Sequence, residues 1–222
     1  MRKFTRYASQ IIMQTIGPII IVRMIEVAAG KIRAAEKELS ALDSATGDGD
    51  HGMTICRVMD AAEAAAKADT TGKIGELLNK VGWDVMSVDG GSTSPLLGSF
   101  LIGLSEGAGS GAELDATAVA AMFEAGVAGL RQQTKAQPGD KTMIDALVPA
   151  VDALRAAANG GADVSTALRQ AADAAARGAQ ATKEMTAKFG RARNLGDRTR
   201  GHADPGATSI SYIFAGFAEA TQ

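Results

Sequence analysis

The sequence has one cysteine, five prolines, 4% aromatic residues and almost no strand signal. Its lone cysteine, Cys56, excludes an internal disulfide and agrees with a reducing cytoplasm. Two histidines and one cysteine also argue against a structural zinc site. No G-x-x-x-x-G-K-[ST] run occurs, so the chain is not a P-loop enzyme. Charge of neither sign dominates: 23 Lys+Arg stand against 25 Asp+Glu, a formal charge of −2. There is thus no basic footprint for a nucleic-acid backbone or an anionic membrane. Long hydrophobic runs are missing too. The apolar stretch at 11–22, IIMQTIGPIIIV, is 12 residues long, is broken by Gln14 and Pro18, and meets Arg23 at once. Arg2, Lys3 and Arg6 ahead of it give the layout of a secretory signal, but the run is too short to cross a bilayer as a helix. The reading adopted is a buried first helix with a bend near Gly17-Pro18, or an apolar face that docks on another subunit.

What the chain does have is alanine in quantity and helical periodicity. With 222 residues and 46% hydrophobic content it can fill one core, and a single domain over 1–222 is expected. The clearest helix lies over 116–131, where Val119, Met122, Phe123, Val127 and Leu130 share a face behind Asp115 as N-cap. The pattern predicts seven others, near 20–41, 53–68, 73–88, 95–106, 142–158, 164–188 and 206–219. Ser94-Pro95 and Asp204-Pro205 each set a capping side chain before a proline at the first helical position. Pro149 should kink its helix. The segment 107–114 reads as a short helix connection, and Cys56 as core. The fold class expected is all-α, an antiparallel eight-helix bundle or barrel.

Chemistry concentrates in the connections. The stretch TGDGDHGMT at 46–54 spells G-x-G-x-x-G, yet aspartates stand where a pyrophosphate would approach. A dinucleotide-binding turn should follow a strand, and AAEKELSAL before it is helical. An EF-hand loop starting at Asp43 would need Glu at its twelfth position, where Thr54 stands. Asp43, Asp48 and Asp50 place three carboxylates within eight positions, which repel unless a hard divalent cation reverses the sign of the site. Oxygen-only ligands point to Mg2+, which bridges carboxylates to nucleotide phosphates. Gly47, Gly49 and Gly52 would then permit unusual backbone angles and close approach to phosphate. As helix caps alone, the same aspartates would be ordinary.

Three more polar loops fall at predicted helix ends: DGGSTSPLLGSF at 89–100, QPGDKTMIDAL at 137–147 and FGRARNLGDRTRGHADPGATS at 189–209. Helix N-termini offer free N–H groups to anions. Ser92, Thr93 and Ser94 could donate to phosphates, and Arg191 could neutralise one or stack on a base. His51 and His202 both lie in these loops, and Lys141 reads either as a phosphate contact or as an exposed lysine at a helix start. Together the loops suggest a rim around one site.

At these residues the sequence resembles the nucleotide-binding L subunit of dihydroxyacetone kinases. The resemblance rests on LDSATGDGDHG, GGSTSPLLGSF, GDKTMIDAL and GRARNLGDRTRGHADPGATS, in that order over about 25–218. It implies a closed antiparallel eight-helix barrel that holds ADP or ATP at one end through two Mg2+ ions. Asp43, Asp48 and Asp50 would ligate metal. Nucleotide contacts would come from His51, Gly52, Met53, Thr54, Ser92, Thr93, Thr134, Met143, Arg191, Asp204, Pro205 and Gly206. The implied activity is phosphoryl transfer to a small ketose held on a separate K subunit, where the general base is also to be sought. The donor is either ATP or a permanently bound ADP recharged by a phosphohistidine protein of a sugar phosphotransferase system. Thr54, Ser94, Thr134 and the pair Arg193-Asn194 depart from the family pattern, and a related ketose such as erythrulose is an alternative acceptor. A noncatalytic ADP-sensing module is the reading from another class, and a bundle carrying an apolar ligand in its core is a third. Oligomeric state is left open.

Overall fold

Helical propensity and apolar spacing agree along most of the chain. The computed structural model describes residues 13–222, so Arg2, Lys3, Arg6 and the first two residues of the apolar run lie outside the described part. Eight α-helices are present among the described residues: α1 Pro18–Thr46, α2 His51–Lys67, α3 Ile74–Met86, α4 Thr93–Gly107, α5 Ala116–Arg131, α6 Ile144–Asn159, α7 Val164–Ala181 and α8 Pro205–Ala220. Pro18 stands at the first position of α1, where a missing N–H leaves nothing unpaired, so the expected bend there is instead a helix start. Asp115, Asp163 and Asp204 cap α5, α7 and α8 by accepting from Ala118 N, Thr166 N and Ala207 N at 2.7–2.8 Å.

Three boundaries change the reading. α1 runs on to Thr46, past the expected 41, so Asp43 lies in its last turn. α4 begins at Thr93, so Ser94 sits inside its first turn and does not cap it. α7 stops at Ala181, short of 188, because the Thr182 hydroxyl turns back onto the Ala179 carbonyl at 2.6 Å and the chain continues as a 3-10 turn, Thr182–Glu184. α6 runs through Pro149 without ending. A two-residue ribbon, β1 Thr15–Ile16 antiparallel to β2 Leu114–Asp115, ties the start of α1 to the start of α5.

Each helix packs on its neighbours in sequence, and α8 returns onto α1, which closes the ring. This up-and-down order sends the loops after α1, α3, α5 and α7 to one end of the barrel. Those loops are the four polar segments singled out above. The interior is filled by Ile, Leu, Val, Met and Ala around Phe100, Phe123, Phe214 and Phe217, whose ring centroids lie 5.5–6.0 Å apart. Small residues set how near the helices come: at Gly216 a Cβ would stand 2.5 Å from the Ala28 Cα, so α8 and α1 meet backbone to backbone. No helix among the described residues is long and apolar enough to cross a membrane.

Candidate functional site

A cleft of about 520 Å3 opens at the loop end, walled by all four polar connections. One wall is acidic. Asp43 closes the last turn of α1, whose end is marked by Gly47 N–H donating to the Asp43 carbonyl at 2.5 Å. Gly49 then takes φ +81, a left-handed bend that glycine enters freely, and Asp50 leads into α2. The result is that Asp43, Asp48 and Asp50 each offer an oxygen within 4.8 Å of the others. Asp43 is partly buried and the other two are exposed. Three hard oxygen donors at that spacing fit a divalent cation such as Mg2+. Positive charge already faces them: the Arg191 guanidinium is ion-paired with Asp48 and lies 3.6 Å from Asp50, and the His51 N–H donates to Asp43 at 3.2 Å.

The His51 side chain is tied inward. Its Nε2 lies 2.8 Å from Ser209 Oγ, and the Ser209 hydroxyl donates to the Pro205 carbonyl at 3.0 Å. With its proton so used, Ser209 accepts, and the imidazole carries its hydrogen on Nε2. Burial holds the His51 pKa below its ordinary value, against the attraction of Asp43. Motif reading misses Ser209, although its place one helical turn after Pro205, facing back along α8, is a signal that could have found it.

The facing wall is the N-terminus of α4. Ser92 and Thr93 line the cleft, and the Ser92 hydroxyl does not cap the helix. Ser94, by contrast, is buried beneath Gly90 with no partner for its Oγ. Thr134 accepts from Ala136 N at 3.1 Å and so shapes the turn after α5. Leu96, Ala136, Met143, Ile144 and Phe189 make the less polar side of the cleft.

The floor is the start of α8. Asp204 keeps part of its surface open to the cleft while protein surrounds its carboxyl, and this burial raises its pKa to about 7, against the opposing Ala207 N–H and Lys141. Pro205 and Gly206 follow it along the cleft wall.

Of the residues expected at the site, Asp43, Asp50, His51, Thr54, Ser92, Thr93, Thr134, Met143, Arg191, Asp204, Pro205 and Gly206 line this one cleft, and Asp48 joins them through the carboxylate cluster. Gly52 and Met53 lie outside its wall. Gly52 is pressed on α1, where a Cβ would run into the Glu36 carbonyl and Ser40, and Met53 is 57% exposed. His202 is exposed and contributes only its carbonyl. Lys141 is not a surface lysine: it is 3% exposed, reaches the cleft wall, and donates to two main-chain carbonyls.

Comparison with known proteins places this geometry. Residues 45–219 match the DAK2 domain model. The chain is 37% identical over 185 residues to the PEP-dependent dihydroxyacetone kinase ADP-binding subunit DhaL of Escherichia coli, covering 83% of this chain and 88% of that one. It is 36% identical to D-erythrulose kinase of Mycolicibacterium smegmatis, covering 88% of this chain but 34% of that longer protein. Among solved structures, the dihydroxyacetone kinase of C. freundii in complex with AMP-PNP and Mg2+ superposes with a TM-score of 0.70 at 25% identity, over 99% of this chain and 37% of that one. The chain belongs to the DAK2 domain family, alongside the L subunits of dihydroxyacetone kinases.

Proposed function

We propose that the chain is the nucleotide-binding subunit of a dihydroxyacetone-type kinase, folded as a single domain whose cleft holds Mg2+-bound ADP or ATP. The observation that carries this reading is the convergence of Asp43, Asp48 and Asp50 opposite the hydroxyls of Ser92 and Thr93 in one cleft. Carboxylates alone would repel a phosphate tail, and hydroxyls alone would be helix caps; side by side they suit a metal-bound polyphosphate. Bound by the three aspartates, two Mg2+ ions would supply positive charge for the phosphate oxygens.

The rest is the work of the chain. Arg191, paired with Asp48 and near Asp50, is placed to shift onto a phosphate once a cation satisfies those carboxylates. Ser92, Thr93 and the Gly206 N–H orient the remaining oxygens, and Thr134, Met143 and the apolar side receive the nucleoside. His51, held by Ser209 and kept neutral by burial, presents a fixed ring at the acidic wall. The phosphoryl group passes from the nucleotide to a primary hydroxyl of a small ketose on a K-type partner, and the hydroxyl proton goes to a base on that partner. Among the two donors, bound ADP recharged by a phosphohistidine protein has the better support, because the PEP-dependent E. coli subunit is matched over 88% of its length. Erythrulose is the alternative ketose, given the likeness to D-erythrulose kinase.

The test is calorimetric titration of ADP with Mg2+ and with EDTA, followed by mixing with a K-type subunit and ATP or a phosphorylated donor over triose and tetrose ketoses. Metal-dependent ADP binding with ketose turnover is expected. Binding without turnover of any ketose would favour an ADP-sensing module. Slow exchange of bound ADP with labelled ATP would select the recharged form.

A further inference from the structure

The strap from α7 to α8, residues 182–204, has only 3-10 turns for regular structure, yet it delivers Asp204, Pro205 and Gly206 to the cleft. Such a segment needs fasteners. Thr182, fully buried, accepts from Asp204 N at 2.8 Å, and Gly201 N donates to the Lys183 carbonyl at 2.8 Å. Lys188 adds an ion pair with Asp140 at 2.8 Å. Between these lies Lys141, whose Nζ donates to the Thr182 carbonyl at 2.6 Å and the His202 carbonyl at 2.5 Å. One ammonium thus clasps the beginning and the end of the strap, two residues short of Asp204.

Two costs meet at this residue. Lys141 is 3% exposed, so its charge has left water, and its φ of +60 is the only left-handed value at a non-glycine position among the described residues. The turn that presents it is built for the purpose: Asp145 accepts from Gly139 N at 2.5 Å and from Thr142 N at 2.8 Å, on either side of Lys141. Burial lowers the lysine's pKa, while Asp204, Asp145 and Glu184 draw it back up. A phosphate ligand would keep its donors for the phosphate; two of the three here are committed to carbonyls.

We propose that Lys141 is a positioning residue for nucleotide binding: by pinning the carbonyls of Thr182 and His202 it holds the 204–206 turn against the nucleotide phosphates. This rests on the nucleotide-binding reading of the cleft. Two variants separate the ammonium from the backbone. Lys141→Gly relieves the left-handed strain and removes the clasp, whereas Lys141→Met keeps the stem and the strain. Calorimetry with ADP·Mg2+ should show both weakened about tenfold or more, the scale of lost charge-assisted hydrogen bonds. Titration with Mn2+ alone should stay close to wild type in both, since Lys141 and the two carbonyls it pins touch none of the three aspartates and reach the cluster only through Arg191; a merely structural role would move both readouts. Wild-type ADP affinity in Lys141→Gly would overturn the proposal, as would parallel loss of Mn2+ binding. Absence of ADP binding by the wild-type chain would overturn the reading of the cleft and the proposal with it. Should neither variant fold, the wild-type chain labelled with 15N-lysine decides. One ammonium resonance protected from solvent exchange and shifted by ADP·Mg2+ is expected, and finding none would overturn the assignment.

Discussion

The substitution Asp204→Asn should remove most of one pH-dependent term in stability. The amide oxygen it introduces would still accept from Ala207 N, so the cap on α8 survives while the ionisable group is lost. In the wild-type chain the carboxyl titrates at about 7, against an ordinary 3.8. A carboxyl with a raised folded pKa holds a proton that the unfolded chain has released, so it makes stability fall as pH rises between those two values. Full expression of that gap would be about 4 kcal/mol, and with solvent reaching the turn from the cleft about 2 kcal/mol is the expected share. His51, whose pKa is lowered, works in the opposite sense, but it does so in both proteins and cancels in their difference. Urea unfolding of wild type and Asp204→Asn at intervals from about pH 4 to about pH 8 measures the difference directly. Relative to the variant, the wild type should be most stable at the acid end and lose ground as pH rises. A flat difference, or one of opposite slope, would show that the Asp204 carboxyl is not buried in the way described.

Two further substitutions probe the scaffold and its link to the site. Phe123→Ala empties the middle of the aromatic cluster, where the ring is 1% exposed and touches three others, and should cost about 3–5 kcal/mol in the same unfolding assay. Gly52→Ala forces α2 away from the Glu36 carbonyl on α1 and should destabilise by about 1–3 kcal/mol. Because Asp48 and Asp50 lie just before that contact, Mn2+ affinity should fall as well, read by electron paramagnetic resonance.

The helices are legible because apolar positions recur every three to four residues and proline or aspartate marks their starts. The ring follows from eight such helices packed in chain order, and the loops after α1, α3, α5 and α7 are the four polar segments. Where sequence reading fails, the cause is tertiary. The alanine-rich pattern of α7 continues past Ala181, but Thr182 turns the chain: its hydroxyl donates back to Ala179 while accepting from distant Asp204, and its carbonyl accepts from distant Lys141. Lys141 reads as a phosphate contact or as an exposed lysine at a helix start until the strap is laid over it. Gly52 looks like part of a phosphate loop, yet its missing side chain makes room for a neighbouring helix. Ser209 matters through His51, 158 positions away, a pairing that one sequence does not display.

The proposed function depends above all on three aspartates gathering a divalent cation for a nucleotide. Electron paramagnetic resonance of Mn2+ with the wild-type chain and with Asp48→Ala, each with and without ADP, addresses this most directly. The wild type should bind Mn2+, more tightly with ADP present, and the variant should show neither binding nor enhancement while its helical circular dichroism is kept. Equal Mn2+ and ADP binding by the folded variant would contradict the account.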